Sequence, residues 1–203
     1  DYAWTSEQCE KLFEDIVLAF KKDREHFCGS FVYAPLPTRK HIDRYIIIDG
    51  QQRFTTLYIL IKALADSATD ESDKAELEKY LYNEDKFNRY GLDDKSKLKL
   101  KPVKTDNDQL QLLMAGNLDK MNKGKDGIIY HNYMLFRELI ATFLAEDPDN
   151  SIMMIHDGMD SLICADIKLD QDDDAQEIFE RINSTGIKLG LPDLIRNYVL
   201  MTD

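Results

Sequence analysis

Cysteine is scarce and scattered in this sequence: Cys9, Cys28 and Cys164 are odd in number and show no CxxC spacing. That pattern argues against a disulfide framework or a thiolate zinc site and fits a reducing cytoplasm. No apolar run approaches the roughly 18 residues a membrane span needs, and no signal-peptide pattern opens the chain. Without such a signal, the sequon at Asn183-Ser184-Thr185 is read as chance. Basic charge is in deficit. With 26 Lys and Arg against 38 Asp and Glu, the net charge is −12, which speaks against a broad basic surface gripping nucleic acid through phosphates alone and leaves only a local basic cleft. The four histidines, His26, His41, His131 and His156, stand apart and form no paired metal-ligand pattern. There is no Walker A loop either, because Gly124-Lys125 is followed by Asp126 and Asp119 occupies the place of the first glycine. No internal repeat is present.

What remains is a soluble globular composition, 43% hydrophobic and 32% charged over 203 residues, long enough to bury a sizeable core. The opening Asp1-Tyr2-Ala3-Trp4 has no initiator Met, which suggests a fragment of something longer.

The stretch that organises the rest is Arg44 to Leu64. Tyr45, Ile46, Ile47 and Ile48 make a β-branched run suited to a strand covered on both faces. Asp49-Gly50 breaks it. From Phe54 onward the apolar positions are 54, 57, 58, 61, 64 and 65, the spacing of one helix face. A glycine at this change of period brings backbone close to a ligand, and the unpaired N–H groups of a helix's first turn favour an anion. Arg53 adds a forked, permanently charged donor. The residues thus point to a phosphate site at Gly50, Gln51, Gln52 and Arg53.

In chain order, Thr5 or Ser6 caps a helix whose face is Cys9, Leu12, Phe13, Ile16 and Phe20, expected to pack on a sheet. Cys28 to Ala34 reads as a strand pairing with Tyr45 to Ile48, and Pro35, Pro37 and the charged run Thr38 to Arg44 as a loop. After the central strand, turn and helix, a polar helix passes through Ala75, Leu77 and Leu81, and Asn83 to Asp94 reads as loop. Leu98 to Pro102 alternates like a half-buried edge strand. Asp106 or Asn107 caps a helix through Leu110, Leu113 and Met114, and Asn117 to Gly127 is a loop. Ile129, Tyr133, Phe136, Ile140, Phe143 and Leu144 form a strong helical face ending at Asp147-Pro148. A short helix from Ser151 to Met159 precedes a strand from Leu162 to Leu169, with Ile163, Ala165 and Ile167 on one side. Asp172 to Asp174 open a helix burying Ala175, Ile178, Phe179 and Ile182, and a last helix starts near Pro192. The fold class is α+β: a small sheet-and-helix core over residues 1–70, and a largely helical region over 71–203 with a return strand and a closing motif.

Two motifs, DGQQRFTTL at 49–57 and FERINSTGIKLGLPDLIRN at 179–197, make the chain resemble the N-terminal domain family of GmrSD-type, modification-dependent restriction endonucleases, grouped with the ParB/sulfiredoxin-like fold. The similarity also takes in Tyr2-Ala3-Trp4, the Gly29-Ser30 strand and the helix near Asn132 to Phe136. It implies binding and hydrolysis of a nucleoside triphosphate with Mg2+, coupled to recognition or cutting of modified, often phage-derived, DNA. An HNH-type nuclease domain in the same or a partner chain would do the cutting. ParB-type proteins carry GxxR at this turn, and sulfiredoxin a catalytic cysteine inside it; with Gln51 and Gln52 there, redox chemistry is excluded. Family members also have a proline-containing arm ending in Gln-Arg ahead of the aromatic pair, expected just before Asp1.

The resemblance assigns catalytic roles to Asp49, Gln51, Gln52 and Arg53, phosphate contacts to Gly50 and, through their hydroxyls, Thr55 and Thr56, a magnesium contact to Asp49, and a second motif to Asn183, Gly186 and Asp193. Plainer readings stand beside these. Asp49 is equally a helix cap, Arg53 a structural ion pair, the glutamines exposed helix-start residues, and Asn183 or Gly186 a helix C-cap. Asp170, Asp172 and Asp174 resemble a calcium loop, but Ala175 replaces its glycine and Arg181 its closing glutamate. Two functions follow: an NTPase-type regulatory module, or a non-catalytic module that holds nucleotide or DNA phosphate or docks a nuclease.

Overall fold

The computed structural model describes residues 1–39, 42–83, 97–169 and 173. They form an α+β fold of six α-helices and a small mixed three-stranded sheet. The elements are α1 (Ser6–Lys22), β1 (His26–Arg39), β2 (Ile42–Asp49), α2 (Gln51–Ser67), α3 (Glu71–Leu81), α4 (Lys104–Met114), a 3-10 turn at Leu118–Lys120, α5 (Ile128–Glu146), α6 (Ile152–Asp160) and β3 (Leu162–Lys168). By contacts the chain forms two units, Asp1–Cys28 with Gln51–Ile163, and Gly29–Gly50 with Cys164–Asp203. This grouping differs from the division near residue 70 read from the sequence.

The first unit is helical. Its α1 opens on Thr5, whose N–H and hydroxyl both donate to the Gln8 side-chain oxygen, and its buried Cys9, Leu12, Phe13 and Ile16 are the expected face. The partners of that face are helices, α5 and α6, where the sequence pointed to a sheet. Helix α2 packs on α3 and α5 and is buried all the way round from Tyr58 to Ala65. A single stripe therefore understates it: Ile59, Leu60 and Ala63 are as deep as Leu64, while Phe54, assigned to the apolar face, is exposed.

Burial of α2 takes Lys62 with it. Its ammonium donates to Asp66 at 2.7 Å, the other oxygen of Asp66 accepts from the Tyr133 hydroxyl at 2.8 Å, and Arg137 donates to that same hydroxyl at 3.0 Å. This chain of charge-assisted bonds lets a lysine sit among apolar side chains and joins α2 to α5. Tyr58 links α2 to α3 by donating to the Leu81 carbonyl.

Two sequence expectations fail in this unit. Leu98 to Pro102 makes no strand beyond one bridge between Tyr82 and Leu98. Helix α4 starts at Lys104, ahead of the proposed caps, and Asp106 in its first turn accepts the Tyr2 backbone N–H at 2.6 Å. The helices expected around Leu77, Phe136 and Ile155 form as read, and the loop at 117–127 contains one 3-10 turn.

In the second unit the strand order is β2-β1-β3, with β1 and β2 antiparallel. The expected loop after Ala34 is instead paired strand, with Pro35 opposite Tyr45 and Leu36 opposite Arg44. Pro35 and Pro37 both fall within β1, so neither proline ends the strand.

Coverage of this sheet is thin. Val32, Ile48 and Leu169 are buried together with Ala34 and Ile167 against them, whereas Tyr45 and Ile163 are exposed and Ile46 and Ile47 half-buried. The expectation of a strand covered on both faces is met only at Ile48. No described helix is long and apolar enough to cross a membrane.

Candidate functional site

The turn at Asp49-Gly50 is prepared by its own strand. Val32 pairs with Asp49 but Tyr33 with Ile47, so Ile48 is an extra residue, a bulge at the end of β2. Bulges bend a strand and often sit where a chain must be re-aimed. Gly50 follows with φ of 90°, and a β-carbon on it would stand 2.4 Å from Cδ1 of Phe31. Conformation and space both demand glycine here. Helix α2 begins at the next residue.

The first turn of α2 contains Gln51, Gln52 and Arg53 and no acidic residue. Its N–H groups lack intrahelical acceptors, and no first-turn carboxylate offsets the positive end of the helix dipole. Gln51 is exposed, and Asp49 and Arg53 are half-buried. The arrangement suits an oxyanion held by backbone donors and a guanidinium.

A second layer holds this turn in place. The Gln52 amide is engaged at both ends, accepting from Ala3 N–H at 2.8 Å and donating to the Asp1 carbonyl at 2.8 Å. The Tyr2 hydroxyl is buried beside it, 2.7 Å from the Thr56 hydroxyl, and accepts from Asn132 Nδ2 at 3.0 Å; the same Nδ2 donates to the Trp4 carbonyl. Thr56 also donates to the Gln52 carbonyl. The opening segment is thereby bolted to α2 and α5 through Tyr2, Gln52, Thr56 and Asn132.

Chemistry within this layer is quiet. Burial pushes the Tyr2 phenol above its ordinary range and the Cys9 thiol up to about 11, so neither is an anion near neutral pH. They are framework, not nucleophiles. Thr55 and Thr56 are buried, with the Thr56 hydroxyl shared between two partners. Asn183, Gly186 and Asp193, with the rest of the closing motif and the acidic residues 170, 172 and 174, lie outside the described residues.

Periodicity found the turn but not its supports. Tyr2 and Asn132 are 130 residues apart, and their only signal in the sequence is that both fall in segments shared with the resembled family. Comparison with known proteins supplies that family independently: the model of the family described as GmrSD restriction endonuclease, N-terminal domain, matches residues 1–200. No curated protein matches the chain.

Proposed function

The chain belongs to the family of GmrSD restriction endonuclease N-terminal domains, which makes it a component of a restriction system, and we propose that the start of α2 binds the phosphates of a nucleoside triphosphate and promotes hydrolysis. The observation that carries this reading is the first turn itself: a glycine at positive φ, then a helix whose opening residues are Gln51, Gln52 and Arg53 with no acid among them. Backbone N–H groups donate to phosphate oxygens there, and Arg53 adds charge that strengthens as negative charge gathers on the leaving phosphate.

Gln51 is the residue suited to orient water, since an amide positions without acting as a strong base. Gln52 holds the turn through Asp1 and Ala3 and acts as a positioning residue. Asp49 supplies the carboxylate for magnesium, whose charge would offset that of the phosphates. The hydroxyls of Thr55 and Thr56 stay in the core. Turnover at this site would regulate recognition of modified DNA and cutting by an HNH-type nuclease domain in the same or a partner chain, in defence against phage.

The test is phosphate release by the full-length protein from each nucleoside triphosphate with Mg2+. Arg53→Ala is expected to lower release by on the order of 10²-fold or more with circular dichroism and melting unchanged. Unchanged turnover in that variant would overturn the assignment. Saturable nucleotide binding with no release by the wild type would make the turn a non-hydrolytic switch.

A further inference from the structure

The C-terminal end of α6 carries a second polar cluster that the phosphate site does not use. His156 is 8% exposed, and its Nδ1 is fully buried without a hydrogen-bond partner. On its other side, Nε2 lies 3.2 Å from the Tyr80 hydroxyl of α3, with the two rings 5.5 Å apart. Nδ1 faces Asp157 Oδ1 at 3.5 Å and Asp160 Oδ2 at 3.7 Å. One ligand atom from each of the three residues can be chosen so that all lie within 4.8 Å of one another. A buried, unpartnered nitrogen directed at two carboxylates is costly unless positive charge stands between them.

We propose that His156, Asp157 and Asp160 form a binding site for a divalent transition-metal ion of the zinc class. Bond lengths of about 2.1 Å in a tetrahedral site place neighbouring ligand atoms about 3.4 Å apart, so the two nitrogen–oxygen separations need to close by only a few tenths of an ångström. Imidazole with carboxylates and no thiol selects borderline ions such as zinc, cobalt or nickel over copper(I). Tyr80 supplies the outer contact such ligands require: by accepting from Nε2–H it leaves the lone pair on Nδ1. The negative end of the α6 dipole adds to the attraction, and it makes two carboxylates there unfavourable without a cation.

The helix is well placed to hold this geometry. Gly158, between the ligands, lies so close to α1 that a β-carbon on it would fall 2.4 Å from the Ile16 carbonyl oxygen. Both carboxylates are exposed, so the remaining coordination positions are open to water or to a donor from another molecule. Three protein ligands with an open position is the pattern of sites that exchange or activate a ligand rather than of closed structural zinc.

Titration of the metal-free full-length protein with Zn2+ by calorimetry, and with Co2+ by visible absorption, tests this. Expected are a one-to-one stoichiometry and the intense bands of four- or five-coordinate cobalt. Asp157→Asn with Asp160→Asn, two exposed changes that spare the fold, should abolish both signals. Tyr80→Phe should weaken binding by about tenfold, which mere removal of surface charge would not do. Absence of saturable binding would overturn the site. Wild-type affinity in the double Asn variant would overturn it equally.

Discussion

The helical and sheet units carry their apolar residues very differently. In the helical unit α2 is surrounded, and Phe136, Ile140, Leu64, Leu77 and Leu110 are all fully buried. The sheet unit buries Val32, Ile48 and Leu169 and leaves Tyr45 exposed. Burial at about 25 cal/mol per Å² of apolar surface means that the helical unit holds most of the folding energy among the described residues. The turn at Asp49-Gly50 begins where β2 ends, and the bonds seen at Gln52 and Thr56 come from the helical unit. The residues that open α2 are thereby held from the side of the dense core.

The largest expected effect separates the two cores directly. Phe136→Ala should cost about 3–5 kcal/mol in urea unfolding. Tyr45→Ala, which loses chiefly an edge-on ring contact with Tyr33, should cost only about 0.5–1.5 kcal/mol. Equal losses would mean that the sheet is as strongly built as the helices.

Next come two glycines at positive φ. Gly50 has the Phe31 ring against it, while Gly116, at φ of 71°, has nothing within 4 Å of a built β-carbon. Gly116→Ala should cost about 1–2 kcal/mol of backbone strain. Gly50→Ala should add about 1–3 kcal/mol of overpacking to that. Thermal melts of the two variants give the comparison, and a smaller loss at Gly50 would mean that Phe31 gives way freely.

The smallest effect is in alkali and belongs to the helical unit. The Cys9 thiol, raised by burial from 9.0 to about 11, keeps its proton in the folded state over a range where the unfolded chain releases it. Its stabilising contribution is complete below pH 9 and is lost as pH rises toward 11. The buried phenols of Tyr2 and Tyr58, raised for the same reason, act in the same direction. Urea midpoints should therefore fall from pH 8 to pH 11, and less steeply in Cys9→Ala. A flat profile would contradict burial of these groups.

Much of this was legible in the residues. The change from a β-branched run to helical spacing located the turn at Asp49-Gly50, because backbone periodicity is a local property. Helices α1, α3, α5 and α6 followed from their stripes and caps. Failures had equally definite causes. Pro35 and Pro37 read as loop because proline is a local breaker, whereas the strand they lie in is set by pairing with β2, and Leu98 to Pro102 alternates but gains only one bridge, to Tyr82. The histidines looked isolated because spacing alone did not reveal that Nδ1 of His156 would be buried and unpartnered. Yet the His-Asp-x-x-Asp order already set two ligands four residues apart on one helix face.

The sequence by itself determined the period, hence helices α1, α2, α3, α5 and α6, the break at Gly50, the residues Gln51 to Arg53 and an overall excess of acid. These depend on residues within a turn or two of one another. Only the tertiary structure decided that Gln52 clasps Asp1 and Ala3, that Tyr2 meets Thr56 and Asn132, that Lys62 is buried on Asp66, and that Tyr80 turns His156 toward two carboxylates. Such contacts are chosen by the packing of whole helices, a cooperative minimum to which no single segment's pattern points.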